Sequence, residues 1–192
     1  MPKILVAYAT IDGHTKKIAE FVARISIAQG FSVFIYDAKS KLPEPFPESY
    51  EMTIIAAPVH AGKYPLAIQR WVHGHSEKLN QLPSAFISVC LGVLENRIEA
   101  NRKIAEIRQQ FLHKSGWHPA LMHDVAGAIP YTRYGILKKW VMKRIAHKFS
   151  SDTDTSRDHE YTDWGDLEEF TRFFIAKNLL LPSELKVGIC RK

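Results

Sequence analysis

Only two cysteines, Cys90 and Cys190, occur in 192 residues, and they form no C-x-x-C pair. That scarcity excludes a disulfide framework and a cysteine-built metal ribbon, and it points to a reduced, cytoplasmic setting. No apolar leader opens the sequence, which agrees with that expectation. Long apolar runs are missing too: none approaches the roughly 20 residues that a bilayer-spanning helix needs. The nine histidines, His73 and His75 among them, show no ligand spacing with carboxylates or cysteines, so no metal is expected. Neither G-x-x-x-x-G-K-[ST] nor G-x-G-x-x-G occurs, which removes two familiar glycine-rich nucleotide loops. Internal repeats and low-complexity linkers are likewise absent.

What is present describes a globular chain. A hydrophobic share of 46% against 24% charged residues suits one domain with a buried core. The formal net charge of +6 directs attention to anionic partners: phosphates, carboxylated ligands, nucleic acid or an acidic membrane surface.

Continuous apolar runs at 3–9, 31–36, 52–57 and 85–91, with a weaker one at 122–129, read as strands buried on both faces. Between and after them, helical spacing of apolar residues predicts helices over 15–29, closed by Gly30, and over 66–79, 98–112 and 164–179. The alternation predicts an α/β domain with a doubly wound five-stranded parallel sheet in the order 2-1-3-4-5. Residues 130–163 form an insertion before the last helix of a domain spanning 1–180, and 181–192 are a tail.

The first strand runs into A-T-I-D-G-H-T and a helix follows at once. Thr10 and Thr15 offer hydroxyls, Gly13 permits a tight turn, and with Ile11, Asp12 and His14 they place backbone N–H groups at a positive helix end. That is a phosphate site. The plainer alternative is that Thr15 is only an N-cap and Gly13 only a turn residue. The longer run Val6–Val22 resembles the flavodoxin signature for binding the phosphate of FMN, with Tyr8, Thr10, Gly13, Thr15, Ala19 and Val22 in its specified places and Ala7 its one departure. The resemblance implies a flavodoxin-like fold holding FMN.

Ligands of doubly wound sheets lie beyond the carboxyl ends of the strands. Two further loops end there: Pro58, Val59, His60, Ala61 and Gly62 after the third strand, and Ser88, Val89, Cys90, Leu91 and Gly92 at the end of the fourth. Both are expected to line the flavin, with Tyr64 a candidate to flank its ring. His60 reads as a polar surface residue, and no side chain stands out as a catalytic acid or base.

Within the insertion, Ile136, Leu137, Trp140, Val141, Ile145 and Phe149 share one side of a helical wheel, opposite Lys138, Lys139, Lys143, Arg144, His147 and Lys148. A basic amphipathic helix with a tryptophan suits a membrane interface or the cover of an apolar ligand, or it packs its apolar stripe on its own domain. Nucleic acid is a minor reading, since no recognition motif accompanies the charge.

The segments Leu82–Val89, Ala126–Tyr134 and Asp152–Trp164, with the basic helix between the last two, resemble the menaquinone-dependent protoporphyrinogen IX dehydrogenases over about residues 3–178. The resemblance implies FMN-dependent oxidation of protoporphyrinogen IX to protoporphyrin IX in haem synthesis, with electrons passed to a membrane quinone. It also implies peripheral contact with an anionic cytoplasmic membrane face, where Arg133, Tyr134, Lys138, Lys139 and Trp140 would meet substrate carboxylates or lipid. Two alternatives stand beside it: a flavodoxin-type electron carrier with no small substrate, and a nicotinamide-linked reductase, for which no second nucleotide signature speaks.

Overall fold

A computed structural model describes residues 1–95, 98–129 and 158–179. Strands β1 (Lys3–Tyr8), β2 (Ser32–Asp37), β3 (Met52–Pro58), β4 (Ser84–Val89) and β5 (Leu121–Val125) form one sheet in the order β2-β1-β3-β4-β5. Every pairing in it is parallel. Helices α1 (His14–Ala28), α2 (Leu66–Leu79), α3 (Ile98–Ser115) and α4 (Trp164–Leu179) provide the cover.

The strands are apolar on both faces because both faces are packed. From β1, Ile4, Val6 and Tyr8 enter a cluster with Ile18, Ala19 and Val22 of α1 and with Leu167, Phe174 and Ile175 of α4. Their neighbours Leu5, Ala7 and Ala9 point the other way, against Ile68, Trp71 and Val72 of α2 and Phe111 of α3. Each fully buried Ile, Leu or Phe contributes roughly 1.5–3 kcal/mol. The chain thus closes both sides of the sheet and leaves its carboxyl-end rim to loops.

The expected 122–129 strand is corrected. The main sheet keeps only Leu121–Val125, and a separate two-residue strand, β6 (Ala128–Ile129), pairs antiparallel with β7 (His159–Glu160). The reason is backbone satisfaction. Beyond Val125 the carbonyls of Ala126 and Gly127 turn to the segment after β7, accepting hydrogen bonds from the Thr162 hydroxyl (2.7 Å) and the Tyr161 N–H (3.1 Å). The end of the expected insertion is therefore fastened to the domain. The basic helix of the sequence reading lies outside the described residues, as does the 181–192 tail. Among the described residues, no helix is long and apolar enough to cross a membrane.

Candidate cofactor site

Three loops meet at the carboxyl ends of β1, β3 and β4, neighbours in the sheet. The order reverses between β1 and β3, the switch point where doubly wound sheets receive ligands.

After β1 the chain turns through Gly13, whose φ of 89° lies in the left-handed region that glycine enters without steric cost. Its N–H donates to Thr10 Oγ1 at 2.9 Å, which fixes the loop from within. Gly13, not Thr15, is the N-cap of α1, and no side chain caps that helix. The contrast with α4 is instructive: there Asp163 Oδ1 accepts the N–H groups of Gly165 and Asp166, both at 3.0 Å. The first-turn amides of α1, which no helical carbonyl can pair, have no such acceptor from their cap and sit at the positive end of the dipole. That donor set fits a phosphate. Thr15 is buried in this turn, whereas Ile11 is exposed and Asp12 and His14 are half-buried. From the turn after β2, the Lys39 ammonium donates to the Thr10 carbonyl and braces the loop on a second side.

After β3, His60 and Lys63 exchange backbone hydrogen bonds at 2.9 and 3.1 Å around Ala61 and Gly62, whose φ values are 49° and 75°. Two consecutive left-handed residues define a tight type I′ turn. Pro58 and Val59 are half-buried at its base, while His60, Ala61 and Gly62 are exposed. Val59 N–H donates to the Val89 carbonyl at 2.8 Å and ties this loop to the next. There Cys90 N–H donates to the Val125 carbonyl at 2.9 Å, and Leu91–Glu95 form a short 3-10 turn. Cys90, Leu91 and Gly92 are half-buried at the rim.

Ser88 and Val89 lie lower. Ser88 is fully buried, with its hydroxyl accepting the Tyr64 O–H at 2.9 Å, and Val89 belongs to the α1 and α4 core. Tyr64 is corrected from a flavin-facing aromatic to a core residue. It packs against Phe86 and Phe111 at ring separations of 5.2 and 4.9 Å, and burial raises its phenol far above the ordinary range. Arg133, Tyr134, Lys138, Lys139 and Trp140 lie outside the described residues.

The sequence reading missed the groups that brace the loop after β1 from afar. His14 Nε2 lies 2.7 Å from Thr162 Oγ1, and its Nδ1 lies 3.6 Å from Glu160 Oε2. Lys17 Nζ also reaches that carboxylate at 3.1 Å, and Trp164 Nε1–H donates to its other oxygen at 2.9 Å. Burial lowers the His14 pKa, outweighing the opposite pull of Glu160. Burial acts to raise Glu160, but the hydrogen bonds from Lys17 and Trp164, with the nearby charges of His14 and Lys17, together hold it below its ordinary value. These contacts join residues 148 and 143 positions apart, beyond any local spacing signal.

Residues 5–156 match the family model of a flavodoxin domain. A protoporphyrinogen IX dehydrogenase [quinone] of Escherichia coli K12 is 32% identical over 170 residues, covering 88% of this chain and 93% of the relative. One from Leishmania major is 29% identical over 204 residues, covering all of this chain and 82% of the relative. Among solved structures, oxidised Flavodoxin 2 from Bacillus cereus superposes with a TM-score of 0.55 at 15% identity, over 91% of this chain and 99% of that one. An archaeal flavodoxin gives 0.52 at 16%, over 92% and 99%. These last two bear out the fold, and the flavodoxin domain implies a flavin cofactor. With a flavodoxin domain over residues 5–156 and relatives of this kind along most of its length, the chain belongs to the flavodoxin-domain family of quinone-linked protoporphyrinogen IX dehydrogenases.

Proposed function

We propose that this chain oxidises protoporphyrinogen IX to protoporphyrin IX with FMN as its cofactor and a quinone as electron acceptor. The observation that carries the reading is the uncapped α1 terminus behind Gly13, at the switch point of a chain whose E. coli relative matches it over 93% of that relative's length. Thr10–Thr15 would hold the phosphate through backbone N–H groups and the helix dipole. The turn at 58–62 and the loop at 90–92 would flank the ring and exclude water from it, tied together by the Val59–Val89 hydrogen bond. Bound FMN supplies the two-electron chemistry, and the protein contributes position and electrostatics. Each cycle removes two electrons and two protons from the porphyrinogen and converts one quinone to its quinol. The basic segment with Arg133, Tyr134, Lys138, Lys139 and Trp140 would meet propionate carboxylates or an anionic membrane surface, placing the enzyme at the cytoplasmic face.

Release of the flavin from purified protein by denaturation, followed by chromatography, identifies the cofactor. FMN is expected, and FAD or a flavin-free protein that fails to take up FMN would overturn the cofactor assignment. Porphyrin fluorescence under anaerobic conditions then separates an enzyme from an electron carrier, since a carrier alone produces no quinone-dependent porphyrin.

A further inference from the structure

Thr162 has one hydroxyl hydrogen and two partners. The Ala126 carbonyl, 2.7 Å away, can only accept, so the hydrogen goes there. His14 Nε2, also at 2.7 Å, must therefore donate to Thr162 Oγ1, which fixes the proton on Nε2. That leaves Nδ1 directed at Glu160 Oε2, 3.6 Å away. As a neutral imidazole, His14 presents a bare lone pair to a carboxylate. As an imidazolium, it would complete a charge-assisted contact.

His14 also stands in the phosphate loop, one residue after Gly13. The groups around it come from both sides of a cleft of about 390 Å³. From the loop and α1 come Asp12, Lys16, Lys17 and Glu20. Across the cleft lie Asp158, His159 and Glu160, and the Trp164 ring is centred 6.1 Å away. Lys16 pairs with Glu20 at 3.8 Å and Lys17 with Glu160 at 3.1 Å, so both neighbouring ammonium groups already face carboxylates. A phosphate dianion entering the loop adds negative charge beside an imidazole whose second nitrogen already faces Glu160.

We propose that His14, held by Thr162 and Glu160, is a positioning residue that ties the phosphate loop to the segment returning from the insertion, and that it takes up a proton when a phosphate dianion occupies the loop. The inference rests on the FMN reading. Burial, which favours neutral His14 in the apoprotein, makes the uptake larger.

Apoprotein titrated with FMN, following the quenching of flavin fluorescence, supplies the test, with riboflavin as the ligand lacking phosphate. Calorimetry at pH 7 in buffers of different ionisation enthalpy counts the protons. For the wild type, proton uptake on FMN binding is expected to exceed that of His14→Gln by a value approaching one. The ionisation of FMN itself is common to both and cancels. Riboflavin should show no such difference. Thr162→Val should weaken FMN binding by about 3–10-fold, the loss of one net hydrogen bond, and Thr162→Ser should restore it. Equal uptake in wild type and His14→Gln, or unchanged affinity in Thr162→Val, would overturn the inference while leaving FMN binding intact. A wild type that binds riboflavin as tightly as FMN, or binds neither, would overturn the cofactor reading itself.

Discussion

Thr15 is buried in the first turn of α1, and Ala61 sits at the tip of the second loop with a φ of 49°. Each gives a residue-scale prediction. Thr15→Val keeps the shape and removes the hydroxyl, so FMN affinity should fall by about 1–3 kcal/mol in a fluorescence titration. Unaltered affinity would count against this loop as the phosphate site. Left-handed backbone costs a residue with a Cβ roughly 1–2 kcal/mol, part of which glycine returns as unfolded-chain entropy. Ala61→Gly should therefore stabilise the protein by about 0.5–1 kcal/mol, read as a higher urea midpoint at constant slope. A lower midpoint would show that the strain is not there. Of the candidate site, the Thr10–Thr15 loop was legible because its residues are contiguous. Thr162, Glu160 and Lys39 were not, because their contacts cross the chain, and Tyr64 misled because an aromatic in a loop looks exposed until Ser88 and Phe111 claim it.

Among the elements, the link between α1 and the 158–163 segment makes stability depend on pH. His14 has a lower pKa in the folded apoprotein than its ordinary 6.5, so the unfolded chain binds the proton more readily. Stability from this group is present above pH 6.5 and is lost as pH falls from there through the folded value. Glu160, also depressed, adds stability that is lost only below its ordinary 4.5. The thermal midpoint of the apoprotein should accordingly drop between pH 7 and pH 5, and less steeply in His14→Gln. Parallel curves would refute the role given to His14. The basic amphipathic segment offers a second test at this scale. Deleting 136–149 should abolish sedimentation with anionic liposomes while FMN binding survives; unchanged sedimentation would remove the membrane role from that segment. Continuous apolar strands made the parallel sheet readable. The break at Ala126–Gly127 was not, because the carbonyls there are satisfied by Tyr161 and Thr162, supplied from the far end of the expected insertion.

For the molecule as a whole, the sheet and the proposed phosphate loop would serve any flavodoxin, carrier or enzyme, since fold does not fix function. What separates the two is the family to which the chain belongs, alongside the charge of +6 and the 158–163 segment held to the loop after β1. The most direct test is anaerobic mixing of FMN-loaded protein with protoporphyrinogen IX and a menaquinone analogue, following porphyrin fluorescence. The account predicts porphyrin formation that requires both FMN and quinone and rises with protein concentration. A rate no higher than autoxidation, with or without quinone, would contradict it and leave an electron carrier.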